Sequence, residues 1–405
     1  MKIGYLVSDY SAPSHTFVRR EVATLRLRGL EIAAFSIQPV AREGEAESLL
    51  GRPLLVYFTA IAVMLATSPR RFLSAWRLAL RHRAGGLRSL LWSQFHFVEA
   101  LLLALRLRAE RIEHLHTHFA NSGATVGMLA AHCADVPWSL TLHGISETDP
   151  PAGALLADKI ERARFVACAS YFMQAQAMRL VAPSQWSKMQ IIRCGIDLAA
   201  LPKEQRARSG RASPPPRLVS VGRLSPEKGY AGLLAALAAL VAEGREFSLA
   251  IVGGGPSAGE IREQAAALGL GDRVEFVGPL PERSTLARMA EADIFVLPSL
   301  MEGLPVVLIE ALALQLPVVA SRVAGIPELV EEDVTGRLFT ASDWGDLKRA
   351  LAELMDDRKA WKRLGEAGRR RVADDYQAHS AAVRMSRLFT GLGRAETLLD
   401  GRGKR

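Results

Sequence analysis

The chain has 405 residues, of which 49% are hydrophobic and 23% are charged, a balance typical of a globular protein long enough for two domains. Its three cysteines are odd in number and widely spaced, so they give neither a disulfide framework nor a zinc pattern and favour a reducing, cytoplasmic setting. The chain leads directly into a predicted strand, and we therefore expect no signal peptide.

The net charge of +9 is concentrated in the first half, where residues 1–200 hold 22 Lys and Arg against 15 Asp and Glu. Residues 67–112 alone hold nine Arg against two Glu, interleaved with Leu, Trp and Phe. This stretch fits a pair of amphipathic helices with a solvated arginine face. It also fits a surface for anionic lipid head groups or for a diphosphate-bearing acceptor. No recognised nucleic-acid motif accompanies the charge, so we expect no nucleic-acid partner.

Residues 53–69 carry no charge and have a proline at each end. They are shorter than the ~20 apolar residues that a membrane-spanning helix needs. We therefore expect either a core helix or a helix that lies at a membrane interface.

The first half alternates strands with helices, and its βαβ start implies a parallel sheet. We predict strands over residues 3–8, 31–37, 112–117, 138–142, 165–169 and 188–193. We predict helices over residues 16–29, 123–133, 159–163 and 171–181, with the basic helical stretch after the second strand.

Residues 201–216 include three consecutive prolines and read as a domain linker. The alternation then restarts, with predicted strands over residues 218–221, 247–252, 274–276, 293–297 and 317–320. Predicted helices occupy residues 230–242, 257–268, 284–290, 306–314, 326–330, 341–355, 358–374 and 376–392.

These elements predict an α/β fold with two doubly wound Rossmann-like domains, residues 1–200 and 217–375, that face each other across a deep cleft. Residues 376–405 are expected to form a helix that crosses back to the first domain, followed by a basic tail. Ligands in such sheets bind at the carboxyl ends of the strands, so the cleft is the expected site.

Two carboxylates stand eight positions apart around a predicted strand-to-helix loop. Glu302 lies in the loop, and Glu310 lies about two turns into the apolar helix that follows. A helix start offers free N–H groups and a positive dipole, which suit a phosphate. Carboxylates beside a phosphate site are therefore predicted to grip the hydroxyls of a sugar and a ribose.

Arg223 and Lys228 lie five apart and are flanked by glycines at a predicted strand end. A planar guanidinium and a point charge suit a diphosphate, although a surface turn with two incidental cations is the alternative. The next strand ends in Gly253-Gly254-Gly255, where glycine lets the backbone approach a ligand closely.

Five motifs in order over about 110 residues resemble the retaining glycosyltransferases of family 4, which have the GT-B fold. They are Gly-Arg-Leu…Glu-Lys-Gly (222–229), Val-Gly-Gly-Gly-Pro (252–256), Phe-Val-Gly (276–278), Pro-Ser…Glu-Gly-Leu-Pro…Glu-Ala (298–311) and Ala-Gly-Ile-Pro-Glu-Leu-Val (324–330).

The first half resembles a narrower branch, the exopolysaccharide transferases of the colanic-acid and amylovoran type, over residues 5–21 and 116–120. His15 stands where that branch often has Glu, which leaves the choice of acceptor open. Gly254 stands where the family often has Asp, and we expect a minor effect because the backbone matters there.

The resemblance implies that Arg223 and Lys228 hold the nucleotide diphosphate and stabilise its charge as it leaves. It implies that Glu302 binds hydroxyls of the donor sugar and that Glu310 binds the ribose. The other donor-side residues are Gly253, Gly254, Gly278, Gly303, Leu304 and Val306.

His143 follows a strand of the first half, where the family has a histidine that faces the donor sugar; a structural histidine is the alternative. His118 ends another strand and is expected to be acceptor-side or structural. The loop before the first helix points to acceptor contacts from Ser14, His15 and Thr16.

His114, His116 and His118 alternate and so share one face of a strand, a pattern compatible with a metal. No Asp-x-Asp and no carboxylate cluster accompanies them, and the family fold needs no metal. We therefore predict no metal and no cofactor, with a UDP- or GDP-sugar as co-substrate.

The resemblance predicts a retaining hexosyltransferase that acts on a saccharide or lipid-linked acceptor in exopolysaccharide biosynthesis, at the inner face of the plasma membrane. The alternatives are a GT-B nucleotide-sugar epimerase and a non-catalytic nucleotide-sugar-binding or assembly protein. A nicotinamide enzyme is disfavoured because no Gly-x-Gly-x-x-Gly follows the strand before Gly253.

Overall fold

The computed structural model describes residues 1–12, 15–41, 44–150, 152–202 and 215–391. The chain divides into two compact units, Met1–Gly195 with a C-terminal segment that starts at Ala378, and Ile196–Gln377. Ser14, most of the predicted linker and the predicted basic tail lie outside the described residues.

The first unit is built on a seven-stranded parallel sheet in the order β3-β2-β1-β4-β5-β6-β7. The strands are β1 (Lys2–Val7), β2 (Glu31–Ser36), β3 (Glu47–Ser48), β4 (His114–His118), β5 (Trp138–Leu142), β6 (Val166–Cys168) and β7 (Met189–Ile191). The helices between them are α1 (Thr16–Leu27), α2 (Leu54–Thr67), α3 (Pro69–Arg81), α4 (Leu87–Ala109), α5 (Ser122–Ala134), α6 (Leu156–Arg162) and α7 (Tyr171–Met178).

The second unit is built on a six-stranded parallel sheet in the order β10-β9-β8-β11-β12-β13. The strands are β8 (Arg217–Val221), β9 (Ser248–Val252), β10 (Val274–Gly278), β11 (Ile294–Leu297), β12 (Val318–Ser321) and β13 (Gly336–Phe339). The helices are α8 (Tyr230–Ala242), α9 (Ala258–Ala267), α10 (Glu282–Ala290), α11 (Val306–Ala313), α12 (Ile326–Leu329), α13 (Trp344–Asp356) and α14 (Arg358–Asp375). The chain then continues into α15 (Ala378–Thr390).

The two faces of the first sheet bury separate cores, because neighbouring residues of a strand point in opposite directions. Leu6 belongs to the core under α4 and α5, whereas Tyr5 belongs to the core that α1 and α15 cover. Strands covered on both faces of a parallel sheet are expected to be largely apolar, and β4, which reads His-Leu-His-Thr-His with every residue buried, departs from this pattern. The helix predicted at the C-terminus therefore packs on the first unit.

Each sheet has one point at which the strand order changes direction. In the first unit it lies between β1 and β4, and in the second unit it lies between β8 and β11. Ligands of open α/β sheets bind outside the carboxyl ends of the strands at this point. The loops after β8 and β11 carry Arg223, Lys228 and Glu302.

The predicted α/β fold of two Rossmann-like domains is confirmed, with differences at particular elements. The prediction missed β3 and β13, which are short and have no alternating apolar pattern; β13 reads Gly-Arg-Leu-Phe. The uncharged stretch 53–69 contains α2, of which only Ala60 and Met64 are buried, so α2 is not a core helix.

Among the described helices, α4 is long and apolar enough to cross a membrane by length and composition. Its second half, from Ala100 to Ala104, is buried in the core of the first unit. A helix packed inside a protein core passes the same length and composition test.

Candidate functional site

The loops after β8 and β11 are in direct backbone contact at the carboxyl edge of the second sheet. The N–H groups of Leu300 and Met301 donate to the carbonyl oxygen of Glu227, at 2.8 and 3.3 Å. Gly229 has a φ of 69°, and a Cβ there would lie 2.1 Å from the carbonyl oxygen of Pro298. The close approach of the two loops therefore depends on glycine at position 229.

Lys228 and Glu302, both predicted from the sequence, meet across these loops. Lys228 Nζ lies 2.6 Å from Glu302 Oε1, and the Ser299 hydroxyl donates to the same oxygen at 2.6 Å. The Glu302 side chain is 8% exposed and the Lys228 side chain 23%, so the ammonium group is the more accessible partner. At the strand edge the pair therefore exposes a positive charge, while its carboxylate stays buried.

Arg223 lies just past β8 with an exposed side chain. The pKa of Glu227, in the same loop, lies below its ordinary value. Burial raises that pKa, but the Ser225 hydroxyl donates to the carboxylate at 2.6 Å, and Lys228 and Arg223 add positive charge, so the net direction is downward. An anion at this edge would meet the same cations.

The glycines after β9 lie where three strand ends are joined by backbone hydrogen bonds. Gly253 donates to the carbonyl oxygen of Gly278 at 2.9 Å, and Leu224 donates to that of Gly254 at 2.9 Å. Gly253 has a φ of 140°, and a Cβ there would lie 2.0 Å from the carbonyl oxygen of Gly222. The structure thus brings these predicted residues together at the edge that holds Arg223.

Helix α11 begins at Val306, and Glu310 lies in its second turn with its residue 6% exposed. The loop before the helix is held by Gly325, whose N–H donates to the carbonyl oxygen of Gly303 at 2.9 Å. Leu304 is buried beneath the loop. These contacts therefore hold the first turn of α11, with its free N–H groups, in a fixed position.

The predicted histidines of the first unit meet at the carboxyl ends of β4 and β5. His118 Nδ1 lies 2.9 Å from His143 Nε2, and the two rings stack at 5.2 Å between centroids. Burial, with the nearby His118 and His15, holds the pKa of His143 well below its ordinary value. His143 is therefore a neutral imidazole, and its Nδ1 lies 3.6 Å from the Cys194 sulfur.

Aromatic rings enclose this histidine pair. The rings of Phe17 and Phe119 lie 4.6 and 4.7 Å from that of His143 between centroids, and His15 lies 4.7 Å from Phe119. His15 is held by its Nδ1, 2.6 Å from the carbonyl oxygen of Asp9, and Thr16 starts α1 beside it. The structure thus places His15 and Thr16 near His118 and His143.

The sequence did not reveal the roles of Glu147 and Lys159, whose buried side chains hold the backbone around this histidine pair. The Glu147 carboxylate accepts the N–H groups of His143, Gly144 and Ala120, each at 2.7 Å. Lys159 Nζ donates to the carbonyl oxygen of Ala120 at 2.6 Å. Burial raises the pKa of Glu147 to about 7 and lowers that of Lys159 to about 8.

The sequence shows no carboxylate cluster beside the histidines of β4, and the structure adds one carboxylate, that of Glu21. Ligand atoms of Glu21, His116 and His118 lie within 4.8 Å of one another, because α1 packs against this face of the sheet. His116 is already engaged, since its ring nitrogens lie 2.8 Å from the hydroxyls of Ser139 and Thr141. The expected lack of a metal requirement stays a prediction.

Comparison with known proteins identifies the second unit. Residues 202–371 match the family model described as Glycosyl transferases group 1. The chain is 34% identical over 183 residues to GDP-mannose-dependent alpha-(1-6)-phosphatidylinositol monomannoside mannosyltransferase of Mycolicibacterium smegmatis, a match that covers 44% of this chain and 48% of that protein. It is 35% identical over 184 residues to amylovoran biosynthesis glycosyltransferase AmsK of Erwinia amylovora, covering 44% and 45%. The chain spans about half the length of the curated relatives it matches.

The fold of the whole chain is similar to that of HepE from Anabaena, solved in complex with UDP and glucose. The TM-score is 0.76 at 18% identity, and the match covers 96% of this chain and 100% of that chain. A likeness at this identity concerns the fold alone. Residues 202–371 therefore form a glycosyl transferases group 1 domain, and the two units have the GT-B fold.

Proposed function

We propose that the chain transfers a hexosyl group from a nucleotide-diphosphate sugar to a saccharide acceptor, with retention of the anomeric configuration and without a metal ion. The observation that carries this proposal is the pairing of Lys228 with Glu302 beside Arg223, at the point where the strand order of the second sheet changes direction. Two cations at the N-terminal side of a helix suit a diphosphate, and a carboxylate paired with one of them suits sugar hydroxyls.

In the proposed mechanism, the acceptor hydroxyl attacks the same face of the sugar that the diphosphate leaves. The departing phosphate oxygen takes the acceptor proton, so no separate general base is needed. Arg223 and Lys228 stabilise the negative charge that develops on the diphosphate, and such fixed charges are the largest share of many rate enhancements. Glu302 orients the sugar through its hydroxyls, and Glu310 holds the ribose.

The donor is proposed to be a UDP- or GDP-sugar, and both bases remain candidates. The mycobacterial relative is named for GDP-mannose, whereas HepE was solved with UDP. The base is proposed to contact Gly278 and the residues after it, where the shape of the loop determines which base fits. His143 keeps its predicted role toward the donor sugar, with a neutral ring that donates or accepts a hydrogen bond.

The proposed setting is exopolysaccharide biosynthesis with a lipid-linked acceptor, at the cytoplasmic face of the plasma membrane. The likeness to AmsK, named for amylovoran biosynthesis, supports the product class. The name of the mycobacterial relative includes a phosphatidylinositol acceptor, which supports a lipid-linked one. His15, Thr16 and His118 are proposed to lie on the acceptor side.

A thermal-shift screen of the full chain against UDP- and GDP-sugars without added metal tests the donor assignment. The proposal predicts a raised Tm with sugars of one nucleotide class, lost in Lys228→Ala. Lys362→Ala is the matched control, because that side chain is 81% exposed on α14. A shift that persists in Lys228→Ala, or no shift with any donor, contradicts the proposed donor site.

A further inference from the structure

The acid-free segment, residues 48–98, contains seven Arg and no Asp, Glu or Lys. It includes α2, α3 and the first half of α4. Of the nineteen large hydrophobic side chains that the described residues expose, eleven lie in this segment. Such a concentration of exposed apolar side chains marks an interaction surface.

Helix α2 has no charged residue along its fourteen residues, yet most of it is exposed. Leu54, Leu55 and Phe58 are 74%, 73% and 65% exposed. Helical spacing places Leu65 on the same face as Leu54 and Phe58. A helix that is apolar all round is normally buried in a core or in lipid, and only the face of α2 that holds Ala60 and Met64 packs on the core.

The first half of α4 continues this character. Leu87, Leu91 and Phe95 follow each other at intervals of four residues on an exposed face. Trp92 is also exposed and lies 5.8 Å from the Phe95 ring. The exposed Trp76 of α3 donates from its indole nitrogen to the Gln94 side chain of α4 at 3.0 Å, so a second indole lies beside this face.

The charge of the segment selects among possible occupants. Arg70, Arg77, Arg81 and Arg88 are exposed, and a second copy of the chain would bring these like charges together. A nucleic acid would pair with the arginines but would leave the leucines of α2 uncovered. An anionic bilayer offers phosphates for the arginines and an apolar interior for the leucines, while indoles prefer the boundary.

We propose that α2, α3 and the first half of α4 form a bilayer-docking face, whose apolar side chains insert below the head groups while the arginines pair with lipid phosphates. This inference rests on the proposed membrane location and adds that apolar insertion, not charge alone, holds the protein there. Because the second half of α4 is buried in the first unit, only its first half is open to lipid. The three helices are therefore proposed to lie in the plane of the membrane–water interface.

Flotation of the full chain with vesicles of phosphatidylcholine and phosphatidylglycerol tests this face. The double variant Leu55→Ser with Phe58→Ser should weaken binding by about tenfold or more, at low and high salt, since each buried apolar side chain contributes strongly. Arg77→Gln with Arg88→Gln should weaken binding mainly at low salt. The matched control is Leu268→Ser, an exposed leucine of the second unit, which should bind like wild type.

A blue shift of tryptophan emission on vesicle addition, with quenching by brominated acyl chains, should accompany binding and be lost in the apolar variant. Unchanged binding of the apolar variant overturns the insertion. A dimer in sedimentation that this variant dissociates, without vesicle binding, assigns the face to self-association and also overturns it. Each of these variants should bind the nucleotide-sugar donor as wild type does. If no protein, wild type included, binds a donor while vesicle binding persists, the proposed function is contradicted and the bilayer-docking face is still supported.

Discussion

Lys228 Nζ lies 2.6 Å from Glu302 Oε1, although the two residues are separated by 74 positions in the chain. The ion pair joins the loops after β8 and β11 at the point where the strand order changes direction. A donor that occupies this edge would insert its diphosphate beside Lys228 and its sugar beside Glu302. The pair thus keeps both side chains placed before the donor binds, so that little ordering remains to oppose binding.

Lys228→Ala should lower kcat by roughly 10²-fold, on the scale of losing one donor to a developing negative charge. The reason is that the leaving diphosphate loses one of the two cations proposed to stabilise its charge at this edge. Steady-state turnover with the preferred donor measures the effect, and Lys362→Ala serves as the control. A kcat within twofold of wild type would remove Lys228 from the diphosphate site.

Glu310→Ala should chiefly raise the KM for the donor and leave kcat closer to wild type. A ribose contact is made equally in the ground state and in the transition state, so its loss weakens binding more than chemistry. Titration calorimetry with the nucleoside diphosphate checks the same point without turnover. An unchanged affinity for the nucleoside diphosphate would contradict the proposed contact of Glu310 with the ribose.

Gly253→Ala should destabilise the second unit by about 1–3 kcal/mol, the usual cost of a residue held in an unfavourable backbone conformation. The φ of 140° and the 2.0 Å approach to the Gly222 carbonyl leave no room for a Cβ. Gly271→Ala is the matched control, since a Cβ there meets nothing within 4 Å. Denaturant titration compares the two, and equal midpoints would show that the strand ends rearrange freely.

Glu147→Ala should destabilise the first unit by roughly 3–5 kcal/mol, since each buried donor left without an acceptor costs about 1–3 kcal/mol. Three backbone N–H groups lose their acceptor, and buried Lys159 loses a nearby negative charge that raises its pKa. The double variant Glu147→Leu with Lys159→Met should recover part of this loss, because it removes the buried ammonium group as well. Denaturant titration of wild type and both variants measures the loss, and a double variant no more stable than Glu147→Ala would argue against the electrostatic coupling of the two side chains.

Buried histidines should make the fold sensitive to acid. Burial lowers the folded pKa of His82 to about 4 and that of His114 to about 3, against 6.5 when unfolded. The unfolded chain therefore binds more protons between these values, so stability is complete above pH 6.5 and falls as the pH drops toward 4. Each such histidine loses about 2 kcal/mol by pH 5.

Two buried carboxyl groups act in the opposite direction. Burial raises the folded pKa of Glu99 and Glu147 to about 7, so both gain protons in the fold as the pH falls from 7 toward 4.5 and offset part of the loss. Burial also holds the pKa values of His116 and His143 well below 6.5, so the histidines outnumber the two carboxyl groups. Denaturant midpoints at pH 7 and pH 5 should therefore show a net fall, smaller in His114→Asn than in wild type. Identical differences in both proteins would contradict a neutral His114.

The secondary-structure elements and the residues of the proposed donor site can be predicted from the sequence, but the contacts between them cannot. Helix α8 was predicted at its observed bounds, because its apolar run starts after Gly229 and ends at a charged residue. Arg223, Lys228 and Glu302 were predicted from their motifs, yet the pairing of Lys228 with Glu302 depends on strand order. Sequence spacing does not reveal that order.

The Glu147 and Lys159 cluster was missed for a related physical reason. A charged residue in a loop or on a short helix is normally solvated, and only the tertiary structure reveals that both side chains are buried and joined to backbone groups. Glu21 was missed beside His118 because α1 contacts β4 across the sheet face, not along the chain.

Sugar transfer can be followed directly with the donor identified in the thermal-shift screen. The measurement is release of its nucleoside diphosphate, together with the anomeric configuration of the glycoside formed on a saccharide or lipid-linked acceptor, in wild type and Lys228→Ala. We expect acceptor-dependent release, a product with the configuration of the donor, and loss of both in the variant. Tight donor binding without release, or a product of inverted configuration, would rule out the proposed retaining transfer.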